Sequence, residues 1–314
     1  MTDLETPSIV HNNVEDDVET TKCCGSCVLE VRASMFELRD PNGGKTIDVI
    51  RMFRPDVLWK KLLKFVCSAW GVEILLQNLI EYKSPRAFWP AFLSHWAVAA
   101  GVLYLFLSAV CALLPLNHGT QQKKTQVTPF LIKATWLAFS IGAVAEFAAT
   151  VLFWALDYTP GQNVSYFTFT HHGVVLVLIL LDGLVINGIV LRLRQMIGSV
   201  VFILSYLVWT IVHALAGIGN PFRNSGVDDD DAIYPVFSWN HKFVNTLIIA
   251  LGIVFVLVPC LFLLLWTISR TLPTPYLAEN NEEADDNDDH ETENNLHVDR
   301  NTAIDETEDV DEVV

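Results

Sequence analysis

Six stretches of about twenty mostly apolar residues occupy the middle of the chain, near residues 62–80, 88–115, 129–154, 167–190, 196–218 and 243–269. At 1.5 Å per residue, a helix of that length crosses a hydrocarbon core of roughly 30 Å. The expected fold class is therefore all-α: a six-span transmembrane helical bundle over residues 59–270. The last five stretches are unambiguous. Lys64, Glu73 and Gln77 dilute the first, "LLKFVCSAWGVEILLQNLI", for which an interfacial or buried helix is the other reading. No secretory signal with an apolar core precedes it, so this span is expected to act as the targeting element.

Composition explains what flanks the bundle. The chain is 52% hydrophobic yet carries a formal charge of -16. Sixteen Asp or Glu against one Arg fall between Glu279 and Val314, so almost all of that charge sits in one tail. A segment this acidic and this poor in aliphatic clusters cannot bury enough apolar surface to offset its ordering entropy. Residues 271–314 are read as a disordered acidic cytoplasmic tail, and residues 1–58 as a largely irregular cytoplasmic region. No nucleic-acid partner is expected; membrane lipids are.

Basic residues in short flanks are retained on the cytoplasmic side. With the N-terminus inside, the cytoplasmic flanks hold eleven Lys or Arg and the opposite flanks four. The one Asn-x-Ser/Thr sequon, Asn163-Val164-Ser165, then falls in a luminal or external loop, as glycosylation requires. Both termini would be cytoplasmic, in an endomembrane such as the endoplasmic reticulum or in the plasma membrane.

Ionisable groups within a span are costly and mark functional positions by default. On this topology Ser94 and His172 lie about 5 to 6 residues below the outer boundary, roughly 8 to 9 Å deep. Glu73, Glu146 and His213 sit about 5 to 8 residues from the outer ends of their spans, so the polar groups share one level and suggest a common outer-half cavity. Glu146, Thr150 and Trp154 follow i, i+4, i+8 spacing; Tyr206, Thr210 and His213 follow i, i+4, i+7. Asp182 lies about 15 Å along the axis from the His171-His172 pair. It is therefore no orienting acid for these imidazoles and is expected to pair with another helix or to be protonated.

Three stretches carry a family resemblance: "AFLSHWAVAAGVLYLFLSAV", "THHGVVLVLILLD" and "AIYPVFSW". Their order resembles that of the rolling-stone proteins and the related androgen-induced transmembrane hydrolases, over about residues 59–270. The resemblance implies an intramembrane hydrolase of fatty acid esters of hydroxy fatty acids or similar lipid esters. It places the nucleophile on Ser94, where the hydrolases have Thr, and the base on His172. His95 and Val175 stand where rolling-stone motifs show Asn.

The implied chemistry suits these residue types. A hydroxyl is a weak nucleophile until a base within hydrogen-bond reach takes its proton, and histidine serves near neutral pH. His171, His95, Glu73, Glu146, Tyr206 and His213 are the supporting or cavity-lining candidates, with His213, Tyr206 and His95 as possible oxyanion donors. Metal binding is the main alternative chemistry, since three of His171, His172, His213, Glu73 and Glu146 around zinc would leave a position for an activated water. No ligand-dense motif such as HExxH occurs, so neither a metal nor another cofactor is expected. Two other functions fit the same residues: a non-enzymatic scaffold of the cell-fusion type, and a proton-coupled transporter using buried acids and histidines as a relay. No inverted repeat is visible to favour the second.

The six cysteines form no disulfide framework. Cys23, Cys24 and Cys27 lie in the cytoplasmic region, where thiols stay reduced and palmitoylation is one use for them. Asn42-Gly43-Gly44 reads as a hairpin turn, and Asp228 to Asp231 as a solvated acidic loop.

Overall fold

The computed structural model describes residue 53 and residues 57–81, 86–113, 130–161, 163–220, 232–234 and 236–272. The three N-terminal cysteines, the Asn42-Gly43-Gly44 turn, the Asp228–Asp231 run and the acidic tail lie outside them. The described residues are mostly helical with no strand among them, and six helices are long and apolar enough to cross a membrane. They are α1 (Leu58–Glu81), α2 (Leu93–Leu113), α3 (Phe130–Asp157), α4 (Tyr166–Ile186), α5 (Leu193–Leu215) and α6 (Phe243–Thr271).

Half or more of the apolar stretch of α2, α3 and α4 is buried (56%, 56% and 50%), against a third (33%) for α1, α5 and α6. Helices α2, α3 and α4 form the core, and α1, α5 and α6 dress it. Where α2 crosses α3, Gly101 faces Gly142. A Cβ on Gly142 would lie 3.1 Å from Gly101 Cα and 3.2 Å from the Ala100 carbonyl oxygen, so only glycine permits this backbone approach. Small residues at such crossings replace the hydrophobic drive that lipid cannot supply. The outward faces stay apolar: Val201, Leu204 and Val208 on α5, and Val244, Ile248, Leu251 and Phe255 on α6 are all exposed. Water would not tolerate a surface of that kind, and a hydrocarbon core matches it. The chain is a multi-pass integral membrane protein.

Two helix boundaries differ from the hydropathy reading, for local reasons. Apolarity extends back to residue 88, but α2 starts at Leu93, because Pro90 lacks an N–H and is housed in a 3-10 turn, Arg86–Ala91. Ser94 is thus in the first turn of its helix. Apolarity also runs past residue 186, but α4 stops there, and Gly188 takes φ 60° to turn the chain. Non-helical backbone continues from Asn187 to Arg192 with Ile189 and Leu191 fully buried, and the Leu191 N–H donates to Ser269 Oγ at 3.1 Å. Such backbone survives at this depth because protein supplies its partners.

Candidate functional site

The start of α4 is not a regular helix. Ser165 caps it, its Oγ accepting from the Thr168 N–H at 3.1 Å. Thr170–Val174 then forms a π-helical turn in which His172 leaves helical geometry (φ -107°, ψ 25°). Single π-turns of this kind recur at functional sites. The distortion presents the His172 carbonyl to the Trp154 indole, which donates at 3.1 Å. The His172 ring stacks on Phe153 at 3.8 Å, and its enclosed Nδ1 has no hydrogen-bond partner.

His171 meets the His172 ring edge-on at 4.7 Å and the His95 ring of α2 at 5.4 Å. Three imidazoles from two helices therefore touch in series. One tryptophan sets the tautomers of two of them. The Trp89 indole N–H, which can only donate, reaches Asn78 Oδ1 at 2.5 Å. That fixes the orientation of the Asn78 amide, whose Nδ2 donates to His171 Nδ1 at 2.8 Å. His171 consequently carries its proton on Nε2. The Trp89 carbonyl, which can only accept, takes a bond from His95 Nδ1 at 2.5 Å, leaving Nε2 as the acceptor nitrogen of that ring. Trp89 and His95 also stack at 4.7 Å.

The 3-10 turn ahead of α2 is held by side chains. Its successive carbonyls at Trp89, Pro90 and Ala91 accept from His95 Nδ1, from Trp96 Nε1 at 2.7 Å and from the Tyr206 hydroxyl at 2.9 Å. The Leu93 N–H, at the start of α2, donates to the Tyr234 hydroxyl at 3.1 Å. Ser94 lies at this junction, and its side chain is engaged by the Tyr234 hydroxyl, not by His172. The Tyr234 ring is half-buried, but its hydroxyl end is enclosed, and burial pushes that hydroxyl up to about 12. It is a neutral donor across the physiological range. Adjacent residues on a helix point about 100° apart, so Ser94 turns to Tyr234 while His95 turns to His171.

The remaining sequence candidates are dispersed. Glu73 is bonded to Gln77 one turn on along α1. Glu146 is buried in α3, with Oε1 unpartnered, and the enclosed Thr150 Oγ1 one turn away is also unpartnered. His213 meets the Phe88 ring at 5.4 Å and, with Thr210, Phe237 and Trp239, lines a separate cavity of about 10 Å³, room for about one water. Asn163 is exposed. At the level where sequence reasoning expected one shared cavity, the structure packs imidazoles against aromatic rings and divides the other polar groups by helix face. Among the described residues, no three His, Cys, Asp or Glu side chains are gathered to hold a metal ion.

A second polar cluster, unread in the sequence beyond Asp182, lies at the other end of the same helices. Asp182 Oδ2 accepts from the Tyr104 hydroxyl (2.6 Å), Ser108 Oγ (2.7 Å) and Asn187 Nδ2 (3.0 Å). Ser108 Oγ in turn accepts from Lys64 Nζ at 2.8 Å, and Lys64 also donates to the Phe53 carbonyl at 3.3 Å. Lys64 and Asp182 are each 1% exposed. The expectation that Asp182 pairs with another helix is met by α2 directly and by α1 through Ser108. Lys64 entered the sequence reading only as a residue that weakened a span.

Comparison with protein-family models, curated proteins and solved structures finds no match to this chain.

Proposed function

We propose that this protein is an intramembrane hydrolase of lipid esters of the rolling-stone and androgen-induced hydrolase type, with Ser94 as nucleophile and His172 as base. The observation that carries the reading is the meeting of the three resemblance stretches at one end of the bundle: Ser94 on α2, the His171-His172 π-turn on α4 and Tyr234 before α6. An enclosed imidazole nitrogen without a partner, His172 Nδ1, is the kind of group that takes a proton from a hydroxyl brought to it. In the free protein Ser94 is held by Tyr234. A bound ester draws the hydroxyl toward the imidazole, as catalytic hydrogen bonds commonly tighten only in the complex. Acyl chains lie among the apolar side chains of the bundle and the bilayer.

The bilayer orientation belongs to the same proposal: both termini cytoplasmic, and the Asn163 loop luminal or external. Its support is the Lys/Arg asymmetry together with the exposure of Asn163.

The test is turnover of a panel of branched and simple lipid esters by purified protein in detergent, alongside an active-site fluorophosphonate. Turnover and labelling by the wild type that vanish in folded Ser94→Ala and His172→Ala are the expected result. Absence of turnover by folded wild type across the panel would move the function to a scaffold or a transporter.

A further inference from the structure

The hydrolase reading needs an oxyanion donor, and the structure points past the three sequence candidates, His213, Tyr206 and His95, to a residue of the "AIYPVFSW" stretch. The Tyr234 hydroxyl, from the segment before α6, stands at the first turn of α2 beside Ser94, where it accepts from the Leu93 N–H at 3.1 Å. We infer that Tyr234 is a catalytic residue of the Ser94 site, donating its phenolic proton in a hydrogen bond to the oxyanion of a lipid ester. This inference rests on the hydrolase reading.

Donor and acceptor capacities support the assignment. The Tyr234 oxygen already accepts from the Leu93 N–H, which anchors it at the first turn of α2 and leaves its single O–H free to donate. Tyr206, the neighbouring phenol, has committed its own proton to the Ala91 carbonyl and offers only lone pairs here. The Tyr234 oxygen thus lies against the Ser94 and Tyr206 hydroxyls, and its own proton is left to donate to a bound carbonyl oxygen. When Ser94 Oγ bonds to the carbonyl carbon, the carbonyl oxygen comes within about 2.3 Å of Oγ by ordinary tetrahedral geometry, so a donor placed beside Oγ also reaches it.

Charge and atoms balance. The Ser94 proton passes to His172 as the Oγ–C bond forms, and the carbonyl π pair becomes the oxyanion that Tyr234 holds. Collapse expels the alcohol, which takes the proton from His172, and leaves acyl-Ser94. Water then adds by the same route, giving its proton to His172, and the fatty acid departs as Ser94 recovers its proton. Tyr234 is neutral throughout and gives up no proton. A preorganised donor of this kind costs nothing to reorient in the transition state.

Two variants test the role. Tyr234→Phe removes the hydroxyl; O-methyltyrosine at position 234 keeps the oxygen that accepts from Leu93 but has no proton to donate. Both are expected to lose roughly 100- to 1000-fold in kcat with little change in KM, the usual effect of removing one oxyanion donor, and to label slowly with the fluorophosphonate. If Tyr234→Phe does not fold, the O-methyl variant alone decides. Retention of kcat within threefold by a folded O-methyl variant, with Ser94→Ala inactive, overturns the assignment and leaves the hydrolase reading standing. A wild type with no turnover overturns both, and that outcome is seen before any Tyr234 variant is made.

Discussion

Single side chains at the head of α2 decide what the site can do, and Trp89 decides most. Its indole orients Asn78, and through it His171, while its carbonyl orients His95. Trp89→Phe keeps the carbonyl, and with it the His95 bond, while deleting the indole N–H and narrowing the ring stacked on His95. The expected outcome is loss of the fixed His171 tautomer with the His95 tautomer retained, read from the 15N shifts of the ring nitrogens in labelled protein. An unchanged His171 signal would remove Trp89 from this role. Hydropathy reasoning assigns such a tryptophan to the interfacial belt, and no local pattern announces that its two ends serve two histidines. Asn78 offered a better signal, because an amide in a span seldom goes unused. At Tyr234 the pH dependence has a definite sign. Its phenol is raised from its ordinary value near 10 to about 12, so the unfolded chain loses this proton first. Its contribution to stability is present below about pH 10 and declines as pH rises toward 12. Tyr234→Phe should flatten the alkaline fall in melting temperature; a fall identical to that of the wild type would contradict the enclosure of this hydroxyl.

Elements were legible where the signal is local. Twenty apolar residues make a span whatever surrounds them, and all six helices stand within a few residues of the positions read from hydropathy. Departures occur where one residue overrides apolarity: Pro90 delays α2, and Gly188 ends α4 early. The two π-turns of α4, Thr170–Val174 and Leu181–Ile186, were not legible, because they arise from packing against neighbouring helices and leave no periodicity of their own. Each carries ionisable groups, His171 and His172 in one and Asp182 in the other. The α2–α3 crossing is the element most sensitive to a single substitution. Gly142→Val places methyl groups against the Gly101 and Ala100 backbone, which cannot yield as a side chain would. A loss of about 1–3 kcal/mol is expected for such overpacking, read as a lowered unfolding midpoint in detergent. A midpoint equal to the wild type would mean that the helices part at no cost.

Across the whole molecule, α1, α2 and α4 share two polar clusters, one at each end. Between them lies an apolar layer that includes Val102, Leu105, Val175 and Ile179. The cluster of Lys64, Ser108 and Asp182 ties Phe53, α1, α2 and α4 together far from the imidazoles. Breaking a buried charged network by removing one member typically costs about 3–5 kcal/mol, while replacing both charges with apolar residues costs far less. Lys64→Met is therefore expected to destabilise strongly and Lys64→Met with Asp182→Leu to recover much of the loss, measured as a double-mutant cycle; an additive double variant would mean the two groups are not coupled. Depth along a helix could be estimated from sequence, which is why Asp182 was separated correctly from the histidines. Lateral arrangement could not, since it depends on which faces six helices turn to one another. That is why Ser94, His172, Glu146 and His213 shared a level in the sequence and occupy different faces in the structure.

The proposed hydrolysis rests most directly on one comparison: turnover of a branched fatty acid ester by wild type, Ser94→Ala and His172→Ala at matched folding. Turnover by the wild type alone, with both variants at background, is the predicted result. Turnover in all three, or in none, would contradict it.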